Sequence, residues 1–219
     1  MICKAERTEN PSIENADWDK RPWNDFPVES IQHHMGNRPG HFPKTEVKAA
    51  YDNTGVFVMF RVEDKYVRAV AEADQDEVYR DSCVEFFFCP GPDLSEGYFN
   101  LEMNCGGTML FHFQTRPRAD RTIIQESDCL RIDRLHSLPR IVEPEIKEPV
   151  TWTVAYRIPV ALLEKYRKVV RPAPGAVWQV NFYKCADNTS HPHWLTWAPV
   201  DSPKPDFHRP QYFGLLKFQ

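Results

Sequence analysis

No stretch of this 219-residue chain stays apolar over the length needed to span a bilayer, and no repeat of fixed period, heptad or low-complexity tract runs through it. Membrane-spanning helices, solenoids and coiled coils are thereby set aside. Charge of either sign is also weak in sum, 27 Lys and Arg against 31 Asp and Glu for a formal −4, so nothing global draws the chain toward nucleic acid or anionic lipid. The first ten residues lack the apolar core of a signal peptide. The expectation is a protein that stays inside the cell, or a secreted one whose leader has been removed. No CxxC pair occurs among Cys3, Cys83, Cys89, Cys105, Cys129 and Cys185. Three of them fall in strand-like runs, where a free thiol packs as a small hydrophobe, and disulfides stay open.

Long helical periods are scarce, whereas 19 prolines and 13% aromatic residues suit many short strands joined by rigid loops. Residues 1–43 read as a lead-in segment tied onto the core by Trp18, Trp23 and Phe26. Glu46–Tyr51 and Val56–Val62 form a hairpin about the turn Asp52-Asn53-Thr54-Gly55. A short strand over 66–70 leads into the acidic loop Glu72, Asp74, Asp76 and Glu77, whose closely spaced oxygens could hold calcium although the spacing is not that of an EF-hand. Further strands are expected at 81–90, 98–104, 108–113, 129–135, 152–158, 177–185 and 213–218, with one short helix over 159–166, where a proline opens the first turn. The sum is one domain over 1–219: an all-β, two-sheet antiparallel sandwich of immunoglobulin-like or jelly-roll-like form with one short helix.

The run Asp81-Ser82-Cys83-Val84-Glu85-Phe86-Phe87-Phe88-Cys89-Pro90 organises the rest, because a lone carboxylate in an apolar strand needs a partner or a task. Alternation puts Cys83, Glu85 and Phe87 on one face and Val84, Phe86 and Phe88 on the other. The same parity gathers Tyr98, Asn100, Glu102 and Asn104 on one face of the next strand, and Gln179, Asn181, Tyr183 and Cys185 on one face of a later one. A solvent-facing sheet surface of amides, carboxylates and phenols suits a polyhydroxylated ligand. Two other chemistries stay open. Glu85 and Glu102 on neighbouring strands could serve as the carboxylate pair of a glycoside hydrolase. His191-Pro192-His193, the pair His33-His34, and Met59, Met103 and Met109 could ligate zinc or haem. A sandwich that only mediates protein contacts is the plainest alternative.

The segments Tyr51-Asp52 with Val56-Phe57-Val58, Tyr79-Arg80-Asp81-Ser82-Cys83-Val84-Glu85-Phe86-Phe87, Tyr98-Phe99-Asn100-Leu101-Glu102-Met103-Asn104, Trp197, and Asp206-Phe207-His208-Arg209-Pro210 with Phe213-Gly214 carry a resemblance. In this order they resemble carbohydrate-binding module family 9 and its stand-alone relatives, from about Trp18 to Phe218. The resemblance implies a β-sandwich without catalytic activity, often borne on xylan-degrading glycoside hydrolases, that clamps the reducing end of a glycan between two tryptophans and binds structural calcium. Position by position, the clamp falls on Tyr79 and Phe207, the sugar-bonding carboxylate on Glu85, an arginine on Asn100 and a glutamine near Tyr183. The ligand so implied is a mono- or oligosaccharide held by stacking and by hydrogen bonds from Glu85 and Asn100.

Overall fold

Hydrophobic alternation along the strands builds one continuous hydrogen-bonded path that folds back on itself. The computed structural model describes residues 1–9 and 12–219. The path is made of β1 (Ile2–Arg7), β2 (Lys44–Tyr51), β3 (Gly55–Asp64), β4 (Cys83–Cys89), β5 (Tyr98–Asn104), β6 (Met109–Arg116), β7 (Ala119–Ile123), β8 (Asp133–His136), β9 (Val150–Pro159), β10 (Val177–Cys185) and β11 (Gly214–Phe218). Their order across the path is β7-β6-β5-β4-β10-β11-β1-β2-β3-β9-β8.

Strand β1 is the seam between the two layers. Its first half pairs with β11, Ile2 opposite Leu215 through Ala5 opposite Phe218, and its second half with β2, Ala5 opposite Ala49 through Arg7 opposite Tyr51. Both of these pairings are parallel, whereas the other neighbours along the path run antiparallel as expected.

Between the layers lies the main core. Val84, Phe86 and Phe88 of β4 and Trp178, Val180 and Phe182 of β10 meet Val58, Phe60 and Val62 of β3 and Trp152, Val154 and Tyr156 of β9, all of them buried. Phe182 takes part in both sides, stacked on Phe86 at 5.0 Å and edge-on to Phe60 at 6.0 Å. At roughly 1.5–3 kcal/mol per buried aromatic or aliphatic side chain, this layer dominates the folding drive.

Both outer faces are covered as well, each by one end of the chain. Trp18, Trp23 and Phe26 pack on Ala50, Phe57, Met59 and Ala155 of the β2-β3-β9 layer, which is the anchoring expected of the lead-in segment. On the opposite layer Val200 and Phe207 cover Cys83, Phe87, Tyr98, Tyr183 and Cys185. The face expected to meet solvent is therefore mostly buried: Asn100, Glu102 and Asn104 are no more than 5% exposed.

The expected helix forms at α2 (Val160–Leu163), and the expected strand over 129–135 is divided between a second short helix, α1 (Glu126–Cys129), and β8. A Ser-Asp pair in the first turn and an apolar residue only at its end favour the helical turn there over a strand.

Lys184 is a charged residue on the inner face of β10. It shares the core-facing side of β10 with Trp178, Val180 and Phe182 and is fully buried. Its ammonium donates to His193 Nε2 at 2.8 Å and to the carbonyl of Cys185 at 2.9 Å, and lies 3.6 Å from Asp64 at the end of β3. Burial pushes the Asp64 carboxyl up, but the ammonium of Lys184 and the His41 hydrogen bond at 2.7 Å outweigh it and hold Asp64 at about 2. A buried pair so satisfied pins the two layers together, and removing one partner would strand the other.

Candidate functional site

Glu85 sits in the middle of β4 directly opposite Glu102 of β5, and on its other side opposite Tyr183 of β10. These registers place the two carboxylates side by side under a cleft of about 100 Å³. Tyr79, Glu85, Phe87, Glu102, Arg118, Cys185, Asp187, Trp194, Asp206, Phe207 and His208 line it. Tyr79 comes from the 3-10 turn Val78–Arg80 just before β4, Trp194 from the short strand Trp194–Thr196 paired to the end of β10, and Phe207 from the covering segment.

The floor is acidic. Burial, and next the neighbouring Glu102 carboxyl, push the Glu85 carboxyl well above its ordinary range. Glu102 is raised by burial to about 7, partly offset by the amide of Asn100, which donates to its Oε1 at 3.0 Å. Asp187 is raised too, again chiefly by burial, although Trp194 Nε1 donates to its Oδ1 at 2.7 Å. The other oxygen of Glu102, Oε2, is buried with no donor.

Of the five residues singled out in the sequence, three line the cleft. Glu85 forms its floor and the partly exposed Tyr79 a wall, its hydroxyl donating to Glu77 at 2.6 Å. Phe207 reaches the cleft, but one face of its ring is taken by Tyr183, stacked at 4.1 Å with the planes 13° apart, and only 8% of the residue is exposed. Tyr183 itself lies beneath, fully buried, donating to the carbonyl of Phe207 at 3.2 Å, and so supports the covering segment instead of facing a ligand. Asn100 is likewise spent: its amide donates to Glu102, and its carbonyl oxygen accepts from Gln114 at 2.8 Å. It orients the carboxylate and does not line the cleft.

Arg118 and Asp187 were not legible in the sequence. Arg118 follows β6 with φ +57°, its backbone N–H donating to Gln114 Oε1 at 2.9 Å. Its guanidinium donates through Nε and Nη2 to Asp206 Oδ1 at the cleft edge, at 3.1 and 3.0 Å. A guanidinium thus stands beside the cleft although Asn100 occupies the aligned strand position. The one available signal was aromatic: Trp194 pairs with Cys185, on the same polar-bearing face of β10 that parity identified.

The acidic loop offers little to calcium. Arg134 holds Asp74 at 2.8 and 2.7 Å, Asp76 accepts the backbone N–H groups of residues 72 and 73, and Glu77 is bound by Tyr79 and Arg80. A hard cation needs six or more oxygens turned inward, and these are turned to protein donors. Among the described residues the ligand atoms that do converge, within 4.8 Å, belong to Cys83, Glu85 and Cys185. That thiol-rich set does not suit calcium, and burial raises Cys83 to about 12 and Cys185 well above its ordinary value, which disfavours the thiolate of both. The candidate haem ligands Met59, Met103 and Met109 are packed into the cores, and His193 accepts from Lys184.

Wider clefts of about 530, 630 and 640 Å³ lie beside Tyr66 and His41, beside Arg134, and beside His34. Among these clefts and the described residues, the Glu85 cleft is singled out by chemistry, because it combines a buried, donorless carboxylate oxygen with aromatic walls.

No curated protein matches this chain. Among solved structures, a protein from Bacteroides uniformis assigned as carbohydrate-binding shares 25% identity over 100% of this chain and 99% of its own, with a TM-score of 0.85. A carbohydrate-binding module family 9 from Caldicellulosiruptor kristjanssonii, solved with glucose and with cellotriose, has the same fold at TM-scores of 0.68 and 0.67. Identity to it is 14%, with 100% and 99% of this chain and 96% and 93% of that one covered. The sequence profile of carbohydrate-binding family 9 matches residues 18–218, and the chain belongs to that family.

Proposed function

We propose that this protein binds carbohydrate without catalysis, seating one terminal sugar ring over Glu85 between the aromatic side chains of Tyr79 and Trp194. The observation that supports this reading most is the placement of Glu85. The residue aligned with the family's sugar-bonding carboxylate lies at the floor of a cleft walled by aromatic rings. Sugar C–H faces stack on such rings, while vicinal hydroxyls donate to carboxylate oxygens. The cleft is small, about 100 Å³ against the roughly 300–1,000 Å³ of ordinary ligand pockets, which favours a chain end over a threaded polysaccharide. Paired carboxylates could instead suggest hydrolysis. Glu85 and Glu102 are directly cross-strand neighbours on one sheet face, with no arrangement on opposite sides of a scissile bond, and that speaks for binding.

The test is calorimetric titration with glucose, cellobiose and xylobiose, and with the borohydride-reduced disaccharides. Heats that vanish on reduction are expected for a site that caps the reducing end. Glu85→Gln should weaken binding about tenfold or more at unchanged near-UV circular dichroism. Release of new reducing ends from xylan or cellulose, lost in the same variant, would overturn the non-catalytic reading.

A further inference from the structure

We propose that the Glu85 cleft selects a cationic sugar, a hexosamine with a free ammonium group, over its neutral and N-acetylated counterparts. This rests on the sugar-binding reading and adds to it the chemical class of the ligand. Its ground is a group of three acids to which the protein gives no cationic partner. Glu85 and Glu102 face each other across β4 and β5, and Asp187 lies two residues beyond Cys185, which opposes Cys83 in the same register. All three carboxyls open on one cleft of about 100 Å³.

The cations nearby are already committed. Arg118 and Arg209 both bind Asp206, Arg80 binds Glu77, and Lys184 points through the opposite face of β10 to Asp64. Each of the three carboxyls has one oxygen engaged: by the Cys185 thiol at 3.1 Å for Glu85, the Asn100 amide for Glu102 and the Trp194 indole for Asp187. Among the described residues none donates to the remaining oxygens, and that of Glu102 is also shut off from solvent.

The free oxygens of Glu85 and Asp187 in a low-dielectric cleft suit the several donors of an ammonium group. A neutral sugar hydroxyl would satisfy one oxygen and leave the acids in their protonated, uncharged form. An ammonium group satisfies several and favours the ionised form of the acids beside it, and the walls of Tyr79 and Trp194 add the attraction of aromatic faces for cations. N-acetylation removes the charge and adds bulk that a cleft of this size has no room for.

Calorimetry on the intact protein, at about pH 6.5 and low salt, with D-glucosamine, D-glucose and N-acetyl-D-glucosamine decides the matter without any variant. Glucosamine is expected to bind at least about tenfold more tightly than glucose, the ratio that one charged hydrogen bond supports, with N-acetylglucosamine no tighter than glucose. The advantage should shrink severalfold in about 0.5 M NaCl, where charge attraction is screened. It should disappear separately in Glu102→Gln and in Asp187→Asn, with an unchanged near-UV circular dichroism spectrum as the check that the fold is intact. Equal or tighter binding of glucose would overturn the ammonium preference while leaving sugar binding standing. A preference that survives both substitutions would overturn its location in this cleft. Failure of all three sugars to bind would overturn both readings together.

Discussion

Glu102 is held by a chain of hydrogen bonds that starts two strands away. The backbone of Arg118 donates to Gln114, Gln114 to Asn100, and Asn100 to Glu102. Strand parity made the common face of Glu85, Asn100 and Tyr183 legible, because alternation is local. It could not separate groups that face the cleft from groups that orient them, since that depends on what the distant segment 200–213 lays over the sheet. The aromatic residues divide the same way. Tyr79 and Trp194 are partly exposed with a face toward the cleft, so Tyr79→Ala and Trp194→Ala should each weaken sugar binding by about tenfold with little loss of stability, read by titration and by urea denaturation. Phe207→Ala should behave oppositely in the second measurement. Its ring is stacked on Tyr183, and truncation is expected to lower unfolding free energy by about 3 kcal/mol.

At the scale of elements, the strands with alternating large residues were readable and β1 was not. Ile2–Arg7 turns only Cys3 and Ala5 inward, too small and too few to register as a hydrophobic pattern, yet its backbone joins the two layers. The turn between β5 and β6 was readable from its glycines, and the structure adds why it is rigid. Gly107 has φ +83°, and a Cβ there would stand 2.4 Å from the His136 ring, so glycine alone fits. Asn104 closes the turn: its Oδ1 accepts from the N–H groups of Gly106 and Thr108 at 3.1 and 2.9 Å, and its Nδ2 donates to Asp81 at 2.8 Å. Asp81 in turn accepts from the N–H groups of Val70 and Ala71, both at 3.0 Å, so this pair of polar residues organises the loop before β4. Asn104→Ala leaves the N–H groups of Gly106 and Thr108 without partners and takes one of three donors from Asp81. It is expected to cost about 3 kcal/mol in urea denaturation while any surviving folded protein binds sugar normally.

For the whole molecule, acid stability is set by two opposed sets of buried groups. Burial holds His193 at about 3 and His112 and His208 at about 4, helped by the positive charges of Lys184, Arg121 and Arg118 respectively. Their ordinary value is near 6.5, so the unfolded chain takes up these protons first, and the stability they confer is complete above pH 6.5 and lost as pH falls toward 4 and 3. Glu102 at about 7, with Glu85 and Asp187 also raised, works the other way. The folded protein holds those protons more tightly than the unfolded chain, so their contribution grows as pH falls from 7 into the ordinary carboxylate range and then stays constant. Between about pH 6.5 and 4.5 the raised carboxyls, Glu102 foremost, oppose the imidazoles, and the melting temperature should change less than the imidazoles alone would make it. Below about 4.5 the imidazoles act unopposed, and Asp64, held at about 2, adds its own loss below its ordinary value near 3.9. A thermal melt series by circular dichroism from pH 7.5 to about 3.5 should therefore show a shallow upper limb and a steep lower one. In Glu102→Gln the upper limb should steepen, because one opposing proton is gone. A wild-type profile that falls uniformly from pH 6.5, unchanged in the variant, would show that the acidic floor carries no proton into the folded state.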